Sequence, residues 1–400
     1  MSEQVKLALI GCGGIAGAHV TGYENLLQAG YERFRIEAMV DSDPARAAAL
    51  AERWAGISGE QPAVYCSVEE MLQAGRPDGV DICTPHAFHH TAALPCLKAG
   101  VPVMVEKPCG ITVRASKKML AASEKSGAFI ATAEQIRRCT GARAMEWAIN
   151  RKKMIGAPRF FVMEVFGHQE FNWKSYAFSW RGLRLLTGGG MLIDAGAHFA
   201  DMMLHVFGPV AEVSADMRTY FTPTLDGPGG LGKRKLDVED TWLATLRFES
   251  GLIGHWGWSR EARGHTVQAS TYFGAKGSLQ DKQKWMHPFQ FGADLKREDG
   301  SEVAYEEIEA AYLASLSARQ SAALFPYGLG DGISNECWDF VEAIASGRVP
   351  EVDGLAGLRA KALCYAFYES NFAGKPIRPA DVESGKVRAY QRDVDEYWGI

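Results

Sequence analysis

The run Gly188 to Asp201 (GGGMLIDAGAHFAD) carries the densest set of residues able to do chemistry. At ~100° per residue, a helix brings Asp194, His198, Asp201 and His205 within about 60° of one another. Leu192, Phe199, Met203 and Val206 fall on the opposite side. The sequence therefore predicts one helix from Met191 to Val206 with a titratable stripe opposite its core face. Two Asp and two His in that pattern suit proton transfer or metal binding better than solubilisation, although Asp-x-x-x-His alone is more often a local hydrogen-bonded pair. The three glycines before it are expected to let a backbone or ligand come close.

The N-terminal third supplies a partner for that chemistry. Val5 to Ile10 (VKLALI) is an apolar run of strand length, followed by Gly11-Cys12-Gly13-Gly14-Ile15-Ala16, a G-x-G-x-x-A pattern. Gly11 suits a tight turn, Gly13 the approach of a pyrophosphate, and Ala16 close packing of helix on strand. The helix N-terminus would hold the anion. A second strand, Phe34 to Val40, ends in Asp41, where a carboxylate accepts from a ribose diol and repels a 2'-phosphate; this favours NAD over NADP. The bland alternative for Asp41 is a cap in DSDPARA. The interval from Ala16 to Asp41 is slightly long, with Leu26 to Tyr31 the expected insertion.

Two further motifs fall at the carboxyl ends of expected parallel strands, where open α/β sheets bind ligands. Thr84-Pro85-His86-Ala87-Phe88-His89 follows the fourth strand, and Glu106-Lys107-Pro108 the fifth. Proline after Lys107 biases that residue towards an extended backbone. His86, His89 and His90 do not fall on one side of a helix, so no metal site is expected.

These elements need a scaffold, and the chain provides two patterns. Strand and helix signals alternate as far as about residue 135, which implies right-handed crossovers and a doubly wound parallel sheet. After Gly156 come β-rich runs at Phe160 to Phe166, Val210 to Phe221, Asp240 to Phe248, Leu252 to Ser259 and Thr266 to Phe273. They predict an α/β second domain with a large, mostly antiparallel open sheet. The expected division is 1–135, a dinucleotide-binding domain, and 136–400, a substrate and oligomerisation domain. Late helices at Asn335 to Ser346 and Leu355 to Phe372 are candidates for packing back on the first. Thr222 to Lys235 reads as a flexible insertion.

Composition excludes several classes. The chain of 400 residues has 47% hydrophobic and 23% charged residues and a net charge of −5, ordinary for a globular enzyme and unsuited to nucleic acid or an anionic membrane as main partner. Eight cysteines without a C-x-x-C pair are expected to be reduced thiols in a cytoplasmic protein. No signal peptide is evident, and no run approaches the ~18 apolar residues of a membrane helix.

Taken together, GCGGIA, TPHAFH, EKP and GGGMLIDAGAHFAD resemble the glucose-fructose oxidoreductase, inositol 2-dehydrogenase and rhizopine-catabolism (Gfo/Idh/MocA) family. The motifs occur in family order over most of residues 5 to 375. The resemblance implies a Rossmann domain, NAD as cofactor, a homodimer or homotetramer, and hydride transfer on a small carbohydrate or polyol. It implies that Lys107 orients and polarises the substrate oxygen and that Asp194 and His198 are the substrate-binding and acid/base pair. His86 and His89 match the segment near the nicotinamide. The residue types agree, because an imidazole titrates near ~6.5 and suits removal of a hydroxyl proton near neutrality.

The segment His168 to Arg184 leads into the catalytic run and adds candidate sugar contacts: His168, Trp173, Tyr176, Trp180 and Arg181, with Gln135, Arg137 and Arg138 of similar status. Trp256 and Trp258 alternate to one strand face and read as core or subunit interface. Two other functions stay open at this level: glycoside cleavage through transient oxidation and elimination, and a non-catalytic dinucleotide-binding regulator.

Overall fold

The computed structural model describes residues 4–227, 231–282 and 287–400, leaving aside the Tyr176 side chain. The chain forms two compact units, Met1–Gln135 with Gln320–Leu358, and Ile136–Arg319 with Arg359–Ile400.

In the first unit six strands, β1 (Val5–Ile10), β2 (Phe34–Val40), β3 (Ala63–Tyr65), β4 (Gly79–Ile82), β5 (Val103–Glu106) and β6 (Ile130–Ala133), pair in parallel in the order β3-β2-β1-β4-β5-β6. Their near-continuous apolar sequences follow from burial on both faces. Leu7, Leu9 and Met39 pack with Ala16, Val20, Tyr23 and Trp54 on one side. Ala8, Ile10, Val40, Ile82 and Val105 pack with Ala92, Ala93, Cys96 and Leu97 on the other. Helices α1 (Gly14–Gln28), α2 (Pro44–Ser58), α3 (Val68–Ala74), α4 (His86–Lys98) and α5 (Val113–Ser126) make the crossovers. Asp43 caps α2 by accepting from Ala45 N, Thr112 caps α5 by accepting from Ala115 N, and left-handed Gly59 and Gly127 end them. The long interval before Asp41 is a long α1 rather than an inserted loop: Leu26 lies within the helix and is fully buried. The helix Gly332–Ser346 joins the first unit, placing Cys337, Phe340 and Val341 in its core. Most of the last long helix, Gly354–Ala373, lies in the second unit.

The second unit is built on eight strands: β7 (Pro158–Phe166), β8 (Val210–Arg218), β11 (Thr241–Phe248), β12 (Ile253–Ser259), β13 (Val267–Gly274), β14 (Gly277–Asp281), β15 (Ala293–Arg297) and β16 (Glu302–Val303). Their order is β16-β15-β14-β13-β7-β12-β11-β8, antiparallel except for β7 with β12. One face is buried. Trp242 and Trp258, opposite each other in register, stack with centroids 4.7 Å apart. Trp256 lies 4.0 Å from Phe199 and 5.3 Å from Phe367, so both tryptophans singled out on β12 are core residues. The other face leaves Phe160, Leu243, Ile253 and Val267 exposed.

Two sequence expectations are corrected here. The insertion Thr222 to Lys235 contains a hairpin, β9 (Thr224–Gly227) with β10 (Gly232–Lys235), anchored by buried Leu225; residues 228–230 of that expected loop lie outside the described ones. The single helix Met191 to Val206 is two pieces, Met191–Asp194 and Gly196–Phe207. The tail from Ala380 folds into short helices Pro379–Glu383 and Arg392–Tyr397, and Trp398 Nε1 donates to Leu185 O at 2.6 Å. Among the described residues, no helix is long and apolar enough to cross a membrane.

Candidate active site

In the first unit the glycine run makes the tight turn its spacing suggests. Gly11 has φ +87°, and a Cβ there would meet Thr84 N at 2.7 Å, so the turn after β1 packs directly on the turn after β4. Gly13 caps α1, and a Cβ on Gly13 or Gly14 would meet nothing within 4 Å, which leaves open space before a long helix N-terminus. Ile15 is partly buried and Ala16 fully buried against the sheet. Asp41 follows β2; its Oδ2 accepts from Cys12 N at 2.7 Å and its Oδ1 from Asp43 N at 2.9 Å. It ties the glycine turn to the second strand, while Asp43 is the helix cap. A carboxylate has about four acceptor positions, so capacity remains for a ribose diol. This cradle fits a dinucleotide.

The two other motifs of this unit are clamped together by His89. Its Nδ1 lies 3.0 Å from Pro108 O and its Nε2 2.8 Å from Thr84 O. Burial pulls the His89 pKa down to about 3, so the ring is neutral and donates to one carbonyl at a time. His86 opens α4 after Pro85, buried, with its ring 5.7 Å from that of His89. Lys107 directly follows β5, half-buried, ahead of a cis Lys107–Pro108 bond.

Glu106 points away into a buried ionic cluster. His19 on α1 lies with Nε2 3.1 Å from Glu106 Oε1 and 3.6 Å from Glu336 Oε1, and with Nδ1 2.8 Å from Asp81 Oδ2. Tyr23 donates its hydroxyl to Asp81 at 3.2 Å. Burial is the largest single influence and pulls the imidazole down, but the Asp81 carboxylate and the Cys83 sulfur together outweigh it, and the His19 pKa is raised well above the usual histidine value. The ring is therefore a buried cation among carboxylates.

In the second unit Asp194, Gly190, Met191, Thr187, Val238, Glu239, Arg181, Arg260 and the rings of Phe171, Trp173 and Phe178 line a pocket. Asp194 ends the turn Met191–Asp194 and accepts from Arg181 Nε at 2.8 Å. The Arg181 guanidinium also donates to Ala177 O and lies 4.3 Å above the Trp180 ring. Trp180 is buried beneath Arg181, so that face is covered; Trp173 presents its ring to the pocket instead. Tyr176 opens a short helical turn, but its side chain lies outside the described ones.

The triple glycine has a packing reason. A Cβ at Gly189 would meet Tyr368 Oη at 2.3 Å, and one at Gly190 would meet Glu239 Oε2 at 2.7 Å. Glu239, which carries no motif, accepts from Gly190 N at 2.8 Å and Leu192 N at 2.9 Å. Burial raises its pKa to about 7. The expected titratable stripe divides. His198 is buried, its ring edge-on to His287 at 4.9 Å. Asp201 is buried and paired with Arg137, whose Nε donates at 2.8 Å. His205 is exposed. Gln135 ends the first unit's opening stretch, its carbonyl against Gly332, and His168 bridges to Glu261 on the rim of the second unit's sheet. Sequence reasoning missed His287, Glu239 and Arg260, which come from separate segments without motif spacing.

Comparison with known proteins agrees with this geometry. Residues 5–133 match the oxidoreductase family with NAD-binding Rossmann fold, and residues 148–280 match the GFO/IDH/MocA C-terminal domain. The chain belongs to the Gfo/Idh/MocA oxidoreductases, and its first unit is an NAD-binding Rossmann domain. It is 28% identical over 279 residues to the D-glucoside 3-dehydrogenase of Escherichia coli (strain K12), covering 63% of this chain and 69% of that protein. It is 27% identical over 285 residues to the levoglucosan dehydrogenase of Pseudarthrobacter phenanthrenivorans, covering 67% and 71%. The WlbA dehydrogenase of Bordetella pertussis, solved with NADH and UDP-GlcNAcA, shares the fold with a TM-score of 0.72 at 21% identity over 94% of this chain and 98% of that one.

Proposed function

We propose that the protein oxidises a secondary alcohol of a sugar, glycoside or polyol, or reduces the corresponding ketone, with Lys107, Asp194 and His198 as the reacting-site residues. The observation that carries this reading is the pocket at Asp194, where a carboxylate and cations sit among aromatic rings in a chain of this oxidoreductase family. Such a wall suits a polyhydroxylated ring, with apolar faces for contact and charged groups for hydroxyls. The relatives named as glucoside and levoglucosan dehydrogenases support a carbohydrate substrate.

Bound NAD supplies the hydride acceptor or, reduced, the donor. His198 takes the hydroxyl proton on an imidazole nitrogen, and burial shields that transfer from bulk water. Lys107 stabilises the developing negative oxygen, an effect that depends on a fixed, dry setting. Asp194, oriented by Arg181, accepts from a neighbouring hydroxyl. The exposed apolar residues Phe160, Leu243, Ile253 and Val267 support self-association through the open sheet face.

A sugar and glycoside panel followed by NADH absorbance tests the reading. Net NADH in proportion to sugar consumed is expected; cleavage of a glycoside without net NADH favours the elimination chemistry, and no turnover with retained NAD binding favours a regulator. Lys107→Ala should lower kcat by about 10²-fold or more, and His198→Asn by ~10² to 10⁴-fold. Near-normal turnover in either variant removes that residue from the mechanism.

A further inference from the structure

We propose that Arg260 sets the substrate specificity of the second unit's pocket and that it selects a sugar acid, the Nη2 edge of its guanidinium taking the substrate carboxylate. This rests on the dehydrogenase reading above and narrows it to an anionic carbohydrate.

Arg260 directly follows β12 and is only 3% exposed, yet it lines the same pocket as Asp194 and Gly190. Its backbone N donates to Asp240 O at 3.1 Å, and its Nη1 lies 3.3 Å from Glu261 Oε1. Its buried Nη2 has no acceptor among the described residues. The guanidinium carbon sits 5.0 Å from the Trp173 centroid and 5.6 Å from those of Phe171 and Phe221. Those rings attract the charge, but a ring face gives an in-plane N–H no lone pair. A buried charged donor without an acceptor is costly, and an anion entering the pocket removes that cost.

Glu261, Asp240 and Glu239 offset its charge, yet none of them accepts from Nη2. Glu261 is shared, lying 3.4 Å from Arg263 and 3.9 Å from His168 as well. Glu239 has both oxygens engaged by backbone amides and, with its pKa raised to about 7, is a partial charge near neutrality. Arg181, the other cation of the lining, is already engaged with Asp194 and Ala177 O. One planar donor edge between aromatic walls matches a flat carboxylate. A phosphate, with three oxygens to satisfy, lacks a second uncommitted cation among the described lining residues.

The test compares glucose with glucuronate and galactose with galacturonate, adding glucose 6-phosphate, in wild type, Arg260→Lys and Arg260→Gln. Wild type should favour at least one uronate over its neutral partner in kcat/KM by ~10 to 100-fold, the range a charged hydrogen bond gives. Arg260→Gln should erase the preference, lowering kcat/KM for the acid at least ~10-fold more than for the neutral sugar; Arg260→Lys should keep part of the preference. Equal turnover of acid and neutral sugar by wild type, equal loss of both in Arg260→Gln, or a preference for the phosphate would overturn the proposal. Calorimetric binding of glucuronate and galacturonate to NAD-loaded wild type keeps the test decisive if the Gln variant does not fold: binding of neither uronate more tightly than its neutral sugar counts against it. Uronate binding without any turnover sinks the dehydrogenase reading alone, whereas turnover blind to charge sinks only the role of Arg260.

Discussion

The two units each bury a group of ionisable side chains, and they treat them in opposite ways. Around His19 the charges face one another: Asp81 and Glu106 each sit at one ring nitrogen, with Tyr23 and Glu336 packed alongside. Around Asp194 they line a space: Arg260, whose buried Nη2 has no acceptor among the described residues, and Arg181, which orients a carboxylate at the pocket wall. A closed cluster locks α1 to the ends of β4 and β5. An open one is poised for a ligand. Burial and charge alone therefore do not mark a binding site; a donor left without an acceptor beside a space does.

The largest expected effect breaks the closed cluster. His19→Asn leaves Asp81 and Glu106 buried without their cation and should cost about 3–5 kcal/mol of stability, as loss of one partner from a buried pair does. Urea denaturation measures it, and a loss under ~1 kcal/mol would show that the carboxylates are protonated and the cluster neutral.

A pH series separates the regions next. The folded Glu239 pKa of about 7 exceeds its ordinary 4.5, so the unfolded chain releases that proton first. The group's stabilisation is complete below about 4.5 and is lost as pH rises to about 7, on the order of 3 kcal/mol in all. The His19 contribution has the same sign in a later window: full below the usual histidine value, it disappears only as pH climbs through the raised folded pKa. Glu239→Gln should flatten the midpoint-versus-pH curve between pH ~4.5 and ~7 without touching the higher window. An unchanged slope there would mean another group is responsible.

The smallest effect lies between these extremes, at Asp41, whose oxygens are partly used by Cys12 and Asp43 amides. Fluorescence titration should show tighter NAD(H) than NADP(H) binding. Asp41→Ala should narrow the gap by about tenfold, the scale of one charged hydrogen bond; equal affinity in wild type would reduce Asp41 to a turn-tying role.

The same contrast explains what the sequence made legible. In the first unit the strands are short, mostly apolar runs and the turns are local, so β1 to β6 and the glycine cradle could be read along the chain. Trp256 and Trp258 were legible as core because strand alternation is also local. The hairpin β9–β10 was not, since GKRK is exposed and charged with no alternation to betray it. The break after Asp194 was hidden because helix periodicity continues across it. Glu239 and Arg260 had no signature at all: what singles them out is contact with Gly190 and with Trp173, tens of residues away.

One consequence of the chain path concerns synthesis. The first unit waits for the helix Gly332–Ser346 to cover its sheet, and the second waits for Tyr368 to brace Gly190 and for Trp398 to reach Leu185, 213 residues back. Domains commonly fold from the N-terminus as they emerge from the ribosome. Here each unit is completed by residues beyond 330, so neither can close while only its opening stretch has emerged.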